Sequence, residues 1–390
     1  MKKLSGGEIF MLSKRSALRG TPVVCAVKDS YLICVPVNKA VLMSVTVNGK
    51  EYFCHSNGIK ISDTPVQKFT VPMSELDAAK KYTVKYEVLN LRTPYYCEKE
   101  PEVSIDYTFK PIEKTENINI YHISDVHGIK KQAIDAGKFF GDDLDLLILN
   151  GDIASSSASK EDIMLSYDIA SAVTGGKLPC IISRGNHDLR GKYAEKLERF
   201  LPTDNGNSYY TVKLGPIWML LLDCGEDKLD SHREYSGTVC CHQFRLDQCE
   251  YIKQLKSNAD NEYLSEAFRY RFIVSHVPFN FNNTDECRGE RPFNIELELY
   301  DEWCRFARED VKAQMLISGH YHRAAIAPSG CDEDCKKIGC DTVIGGIPYR
   351  KNGRPVGFTG AAITLNGKTA EVKFTTHKKE VLSVHTVELK

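Results

Sequence analysis

Hydrophobic positions along this chain keep two rhythms, and the change between them falls near Pro111. Ahead of it, short runs rich in Val, Tyr and Thr alternate with turn residues: Val23 to Val27, Tyr31 to Val37, Val41 to Val47, Glu51 to His55, Gln67 to Val71, Tyr82 to Leu89 and Val103 to Phe109. Short strands at that spacing predict an all-β sandwich over residues 1–110, and Asn48-Gly49 marks a hairpin between two of them.

Residues 111–390 instead alternate strands with helices. Strand Ile118 to Ile123 precedes helix Lys130 to Phe140, strand Leu144 to Leu149 precedes helix Glu161 to Val173, and strand Pro179 to Ile182 precedes helix Lys192 to Phe200. Further strands are predicted at Tyr209 to Leu214, Ile217 to Leu222, Arg271 to Ser275 and Gln314 to Ile317, with helices at Phe244 to Leu255 and Glu296 to Arg308. The remainder reads as strands Asp341 to Ile344, Gly360 to Leu365, Ala370 to Phe374 and Val381 to Val387. Such alternation predicts a layered α/β fold, whose ligands gather at the carboxyl ends of the strands.

The chemistry-bearing fragments fall at those ends. Asp125-Val126-His127, Gly151-Asp152, Gly185-Asn186-His187-Asp188, Ser275-His276 and Gly319-His320-Tyr321-His322 each follow or close an apolar run. Their carboxylate, amide and imidazole groups are the donors that a pair of divalent metals needs. Asp-x-His in an extended turn would aim both side chains one way, as would His-x-His. The residues before Pro111 hold no comparable cluster, and His55 stands alone there.

Composition narrows the field. With 51 basic and 52 acidic residues the formal charge is −1, so bulk electrostatics favour neither nucleic acid nor an anionic membrane. No apolar run reaches the roughly 18 residues of a membrane span, and the polar, basic stretch Met1 to Gly20 lacks the core of a secretory signal. A cytoplasmic location is therefore expected, with the 14 cysteines as reduced, partly buried thiols. Cys331, Cys335 and Cys340 lack the two-residue gaps of a zinc knuckle and are read as an accessory loop.

Taken in order, the fragments resemble the pattern of the calcineurin-like metallophosphoesterase superfamily, over about two hundred residues from Asp125 to His322. The resemblance implies a four-layer α/β/β/α domain with two central mixed sheets. An all-β sandwich of the fibronectin or immunoglobulin kind ahead of it would be similar to the plan of purple acid phosphatases. It implies that Asp125, His127 and His322 hold one metal, that Asn186, His276 and His320 hold a second, and that Asp152 bridges them. A bridging water would be acidified toward a hydroxide nucleophile, His187 would protonate the leaving oxygen as general acid, and Asp188 would orient the His187 imidazole.

Two departures set the chain apart from the purple enzymes: His127 stands where they carry Gly, and Ser155 where they carry a tyrosine ligand. Manganese, iron or zinc, all divalent, suits the donor set better than a coloured ferric site. Arg184 is left outside the catalytic set, His122 is in phase to point away from the metals, and Gly225-Glu226-Asp227-Lys228, with His232 and His242 beyond it, reads as a solvated loop. The expected activity is hydrolysis of small phosphomonoesters or phosphodiesters, with no nucleic-acid or membrane partner and the oligomeric state open. The alternatives are a nuclease, which would need a basic track, and a non-catalytic scaffold, which would have lost a ligand or His187; this chain retains them all.

Overall fold

In the computed structural model, residues 17–280, 295–329 and 338–390 are described. Two sheets lie face to face. The larger runs in the order Val381–Glu388, Thr369–Thr376, Arg354–Asn366, Ile118–Ile123, Leu146–Asn150, Pro179–Ser183, Val23–Val27, Ser30–Pro36, Val66–Pro72, with Ile347–Lys351 paired to Arg354–Asn366. The smaller runs Tyr210–Leu214, Ile217–Leu221, Tyr270–Val274, Met315–Ser318, Asp341–Ile344, Ala325–Ala327.

Period-two alternation explains the layering. Ile120, Ile148 and Ile181 of the larger sheet share an inner core with Met219, Phe272 and Ile317 of the smaller. Their strand neighbours Tyr121, Leu147 and Ile182 face outward onto Ala133, Ile163 and Tyr167, which ride on helices Lys130–Gly137 and Lys160–Thr174. On the far side, Leu220, Ile273 and Leu316 meet Ile252 and Trp303 from helices Cys241–Ser257 and Leu297–Arg305. Each such fully buried Leu, Ile or Phe contributes roughly 1.5–3 kcal/mol of hydrophobic stabilisation. The result is the expected α/β/β/α stack, with parallel strands at the centre of both sheets.

The β-rich region before Pro111 joins this stack more closely than the change in rhythm suggested. Val24 and Cys25 pair in parallel with Pro179 and Cys180, so Val23–Val27, Ser30–Pro36 and Val66–Pro72 extend the larger sheet. A separate five-stranded sheet, Val103–Thr108, Lys81–Arg92, Val41–Val47, Lys50–Phe53 and Cys97–Lys99, packs on them: Val45, Val84 and Ile105 share a core with Ile33 and Phe69. Alternation within a strand reports which face is buried, not which strand lies alongside, so position 110 separates two patterns rather than two sheets.

Other differences have local causes. The helix expected over Lys130 to Phe140 stops at Gly137, and that over Lys192 to Phe200 is two short turns, Ala194–Lys196 and Leu197–Phe200. Helix Met73–Ala79, unexpected, rests on two buried side chains one turn apart, Met73 and Leu76. Helix Lys160–Thr174 is held by a capping box between Ser159 and Asp162 and ends at left-handed Gly175. Cys304 apart, the described cysteines are free thiols; Cys340 is buried, while Cys331 and Cys335 lie outside the described residues. Among the described residues, no helix is long and apolar enough to cross a membrane.

Candidate metal centre

The carboxyl ends of the central strands meet along one seam between the sheets. Main-chain hydrogen bonds lace the loops together there: the amides of Asp125, His127 and Gly128 donate to the carbonyls of Gly151, Asp152 and Ile153 at 3.2, 3.1 and 3.0 Å. Gly151 donates in turn to Ser183 at 3.1 Å, and Gly319 to His276 at 2.9 Å. Close approach demands glycine at several of these points. A Cβ on Gly151 would fall 2.6 Å from the Gly185 backbone, and one on Gly319 would fall 2.6 Å from Asp125 Oδ2.

The turns are not extended, as Asp-x-His and His-x-His suggested. Asp125, His127, Asp152, His320 and His322 all adopt left-handed backbone, with φ of 53°, 45°, 53°, 69° and 49°. For residues other than Gly this region costs about 1–3 kcal/mol each, although Asp and His tolerate it better than most. The lacing hydrogen bonds hold the strain, and the curl aims residues two apart at one point.

All seven expected ligands are brought together. Asp125, His127 and His322 offer donor atoms within 4.8 Å of one another, as do Asp152, His276 and His320, and as do His127, Asp152 and His187. Asp152 Oδ2 lies 3.2 Å from His276 Nε2 and 3.9 Å from the Nε2 atoms of both His127 and His187. His127 and His322 turn their Nε2 atoms to face each other at 3.0 Å. Asn186 Oδ1 lies 3.0 Å from His320 Nδ1. Asp125 is fully buried, whereas the His322 side chain is 48% exposed, so this end of the cluster opens to solvent.

Electrostatics show what this donor set lacks. His276 donates Nδ1–H to the Asn150 carbonyl at 2.7 Å, which leaves Nε2 buried without a hydrogen-bond partner and directed at two carboxylates. Burial opposes its charged form, yet Asp152 and Asp125 pull its pKa up to about 10. Burial likewise opposes ionisation of Asp152, but His276 and the neighbouring imidazoles hold its carboxyl below the usual carboxylate range. Burial pushes Asp125 up to about 7, against His276 and helped by Asp152, and pulls His127 down to about 4 and His320 to about 3. Neutral imidazoles around clustered carboxylates, with a positive charge demanded at their centre, suit divalent cations held through nitrogen and oxygen.

His187 lies beside Asp152 and His127, and its support differs from expectation. Its Nδ1 faces the Ser155 carbonyl at 3.0 Å, and its main-chain amide donates to Asp152 Oδ1 at 2.9 Å. Asp188 does not reach the imidazole; its Oδ2 accepts from the amides of Gly185 and Asp152 at 2.7 and 3.2 Å. It therefore ties two ligand loops together, and burial beside Asp152 pushes its pKa up to about 7.

Residues outside the expected set also matter. Arg184 is neutralised by Asp223 and stacks over Phe244. His122 is buried between the sheets with neither ring nitrogen hydrogen-bonded, and burial lowers its pKa to about 3. Arg190 forms a two-pronged pair with Glu226 at 2.8 and 2.8 Å while its Nη1 lies 3.5 Å from His187 Nε2. Asp227 is buried and approaches His320 Nε2 to 3.6 Å. The stretch Gly225 to Lys228 is thus part of the site rather than a solvated loop. The available signal was its place just after the buried run Ile217 to Leu222, the position that the expected ligand fragments occupy.

This fold and this donor set define a metallophosphoesterase. A model of the calcineurin-like phosphoesterase family matches residues 118–324, just over half of the chain, and the protein belongs to that family as a metal-dependent phosphoesterase. Among solved structures, the purple acid phosphatase PPD1 from yellow lupin seeds superposes with a TM-score of 0.57 at 10% identity, covering 95% of this chain and 75% of that one. PhoD superposes with a TM-score of 0.54 at 11% identity, covering 97% and 90%. At these identities the likeness is one of fold. No curated protein matches the sequence.

Proposed function

We propose that this protein hydrolyses small phosphomonoesters or phosphodiesters at a binuclear centre. Asp125, His127 and His322 hold one divalent ion, Asn186, His276 and His320 the other, and Asp152 serves both. One observation carries this reading: Asp152 belongs to two of the donor clusters at once, with His127 and His187 on one side and His276 and His320 on the other. Bound manganese, iron or zinc supplies Lewis acidity toward the phosphoryl oxygens and acidifies a water molecule.

The chain's own residues do the rest. His276, its tautomer set by Asn150, presents Nε2 as a lone pair. His187, held through Nδ1 by the Ser155 carbonyl, presents Nε2 to the leaving oxygen and gives it a proton. Asp188 fixes the spacing of the Gly151-Asp152 and Gly185-Asn186 loops. We assign to the alcohol part of the substrate a cavity of about 780 Å³ lined by Leu189, Arg190, Glu226, Tyr235 and Val239, which Arg190, 3.5 Å from His187 Nε2, connects to the site. The residues before Pro111 brace the larger sheet.

The test is turnover of p-nitrophenyl phosphate and bis(p-nitrophenyl) phosphate by manganese-loaded protein, with metal content measured in parallel. His187→Ala should lower the rate by about 10²–10⁴-fold with metal retained, whereas Asp152→Asn should lower both rate and metal content. Unchanged rates in both variants would exclude the site.

A further inference from the structure

We propose that Asp227 is the positioning residue that fixes how His320 presents itself to a divalent cation in the cluster with Asp152 and His276; this rests on the binuclear reading above. His320 turns its two nitrogens to different neighbours. Nδ1 faces Asn186 Oδ1 at 3.0 Å, on the side where the other donors converge, and Nε2 faces Asp227 Oδ2 at 3.6 Å. An imidazole that ligates through Nδ1 carries its proton on Nε2. A carboxylate placed to receive that proton locks both the tautomer and the ring rotation, and makes the ligating nitrogen a better donor.

The surroundings of Asp227 divide its two oxygens between separate tasks. Oδ1 takes the Tyr235 hydroxyl at 3.1 Å, the Lys228 ammonium at 3.1 Å and the edge of the Arg190 guanidinium at 3.8 Å. Oδ2 is the atom turned to His320. A buried carboxylate anchored through one oxygen is held in one rotation, so the direction of the other is set by the fold rather than by chance. The geometry is that of a support built before the cation arrives. The gap of 3.6 Å is longer than a formed hydrogen bond and closes with a small turn of the imidazole once Nδ1 is engaged.

The test reads metal binding directly. Metal-stripped wild type, Asp227→Asn and Tyr235→Phe are titrated with Mn²⁺ by calorimetry, and the loaded forms are compared by electron paramagnetic resonance. Wild type should take two Mn²⁺ and show the spectrum of a coupled pair. Asp227→Asn should weaken one of the two sites by about 10–100-fold and, at limiting metal, give the spectrum of an isolated ion. Tyr235→Phe, which loosens Oδ1 and leaves Oδ2 in place, should weaken the same site by a smaller factor and keeps the test decisive if the first variant does not fold. Two Mn²⁺ bound as tightly by both variants as by wild type would overturn the role of Asp227 and leave the binuclear reading standing. Fewer than two Mn²⁺ on wild type would overturn both.

Discussion

The larger sheet lends the candidate centre its carboxylates and its amide, Asp125, Asp152 and Asn186, with two imidazoles, His127 and His187; the smaller sheet lends only imidazoles, His276, His320 and His322, backed by Asp227. Neither half is sufficient. Asp152 finds its nearest imidazole, His276 at 3.2 Å, across the seam, and His127 meets His322 there at 3.0 Å. The inner core that joins the sheets is thus also what sets the spacing of the donors, and metal affinity and inter-sheet packing are coupled quantities.

That coupling can be broken most severely from the core. Phe272 lies on the inner face of the smaller sheet, while Ile252 lies in the outer core beneath its helices, and both are fully buried. Phe272→Ala should cost about 3–5 kcal/mol of unfolding free energy, and Ile252→Ala about 2–5. The two cavities should part in Mn²⁺ affinity: at matched loss of stability, only the inner one lets the sheets shift and should weaken binding. Denaturant unfolding of the metal-free protein, paired with Mn²⁺ titration, measures both. Equal loss of affinity in the two variants would separate the centre from the seam.

A smaller break comes at the loops themselves. Gly319 allows the His320 loop to pass Asp125 and Ser124, and a methyl group there would meet Asp125 Oδ2 and Ser124 Oγ, each at 2.6 Å. Gly319→Ala should displace Asp125 and lower turnover by about 10²-fold, the scale expected of a misplacement near 1 Å. Gly353, left-handed in a hairpin with nothing within 4 Å of a built Cβ, serves as the comparison: Gly353→Ala should lose stability to the strained backbone alone and change turnover hardly at all.

In both halves the expected ligands were more legible in the amino-acid sequence than the contacts that support them. Asp125, His127, Asp152, Asn186, His276, His320 and His322 stood out because their fragments keep the order that the metallophosphoesterase resemblance implies, each at or just beyond the end of a largely apolar run. The runs themselves predicted a layered α/β fold, and the α/β/β/α order came from the resemblance. Pairing of Val24 with Pro179 could not be read, since nothing within either run names its partner across more than a hundred residues. Nor could the true contacts of Asp188 and Asp227, because each acts on a backbone or side chain brought to it only by the finished fold. The left-handed turns at five of the expected ligands were hidden for a related reason: non-glycine residues enter that region under tertiary constraint.

The smallest expected effect separates the sheets by their outer support. Asp168, on helix Lys160–Thr174 behind the larger sheet, binds Arg19 through two contacts of 2.7 and 2.9 Å and Lys130 through one of 2.7 Å. Burial opposes its ionisation, but the Arg19 and Lys130 hydrogen bonds hold its carboxyl below its ordinary value. Because the folded value is depressed relative to about 3.9 in the unfolded chain, the stability it contributes is fully present above the unfolded value and is lost as pH falls through the folded one. Asp168→Asn should therefore cost about 2 kcal/mol near neutrality, and the gap between variant and wild type should narrow below about pH 4. Since this pair lies behind the sheet and away from the seam, Mn²⁺ affinity at neutral pH should stay at the wild-type level. A gap that persists unchanged into acid would mean that the helix is held there by packing and not by charge.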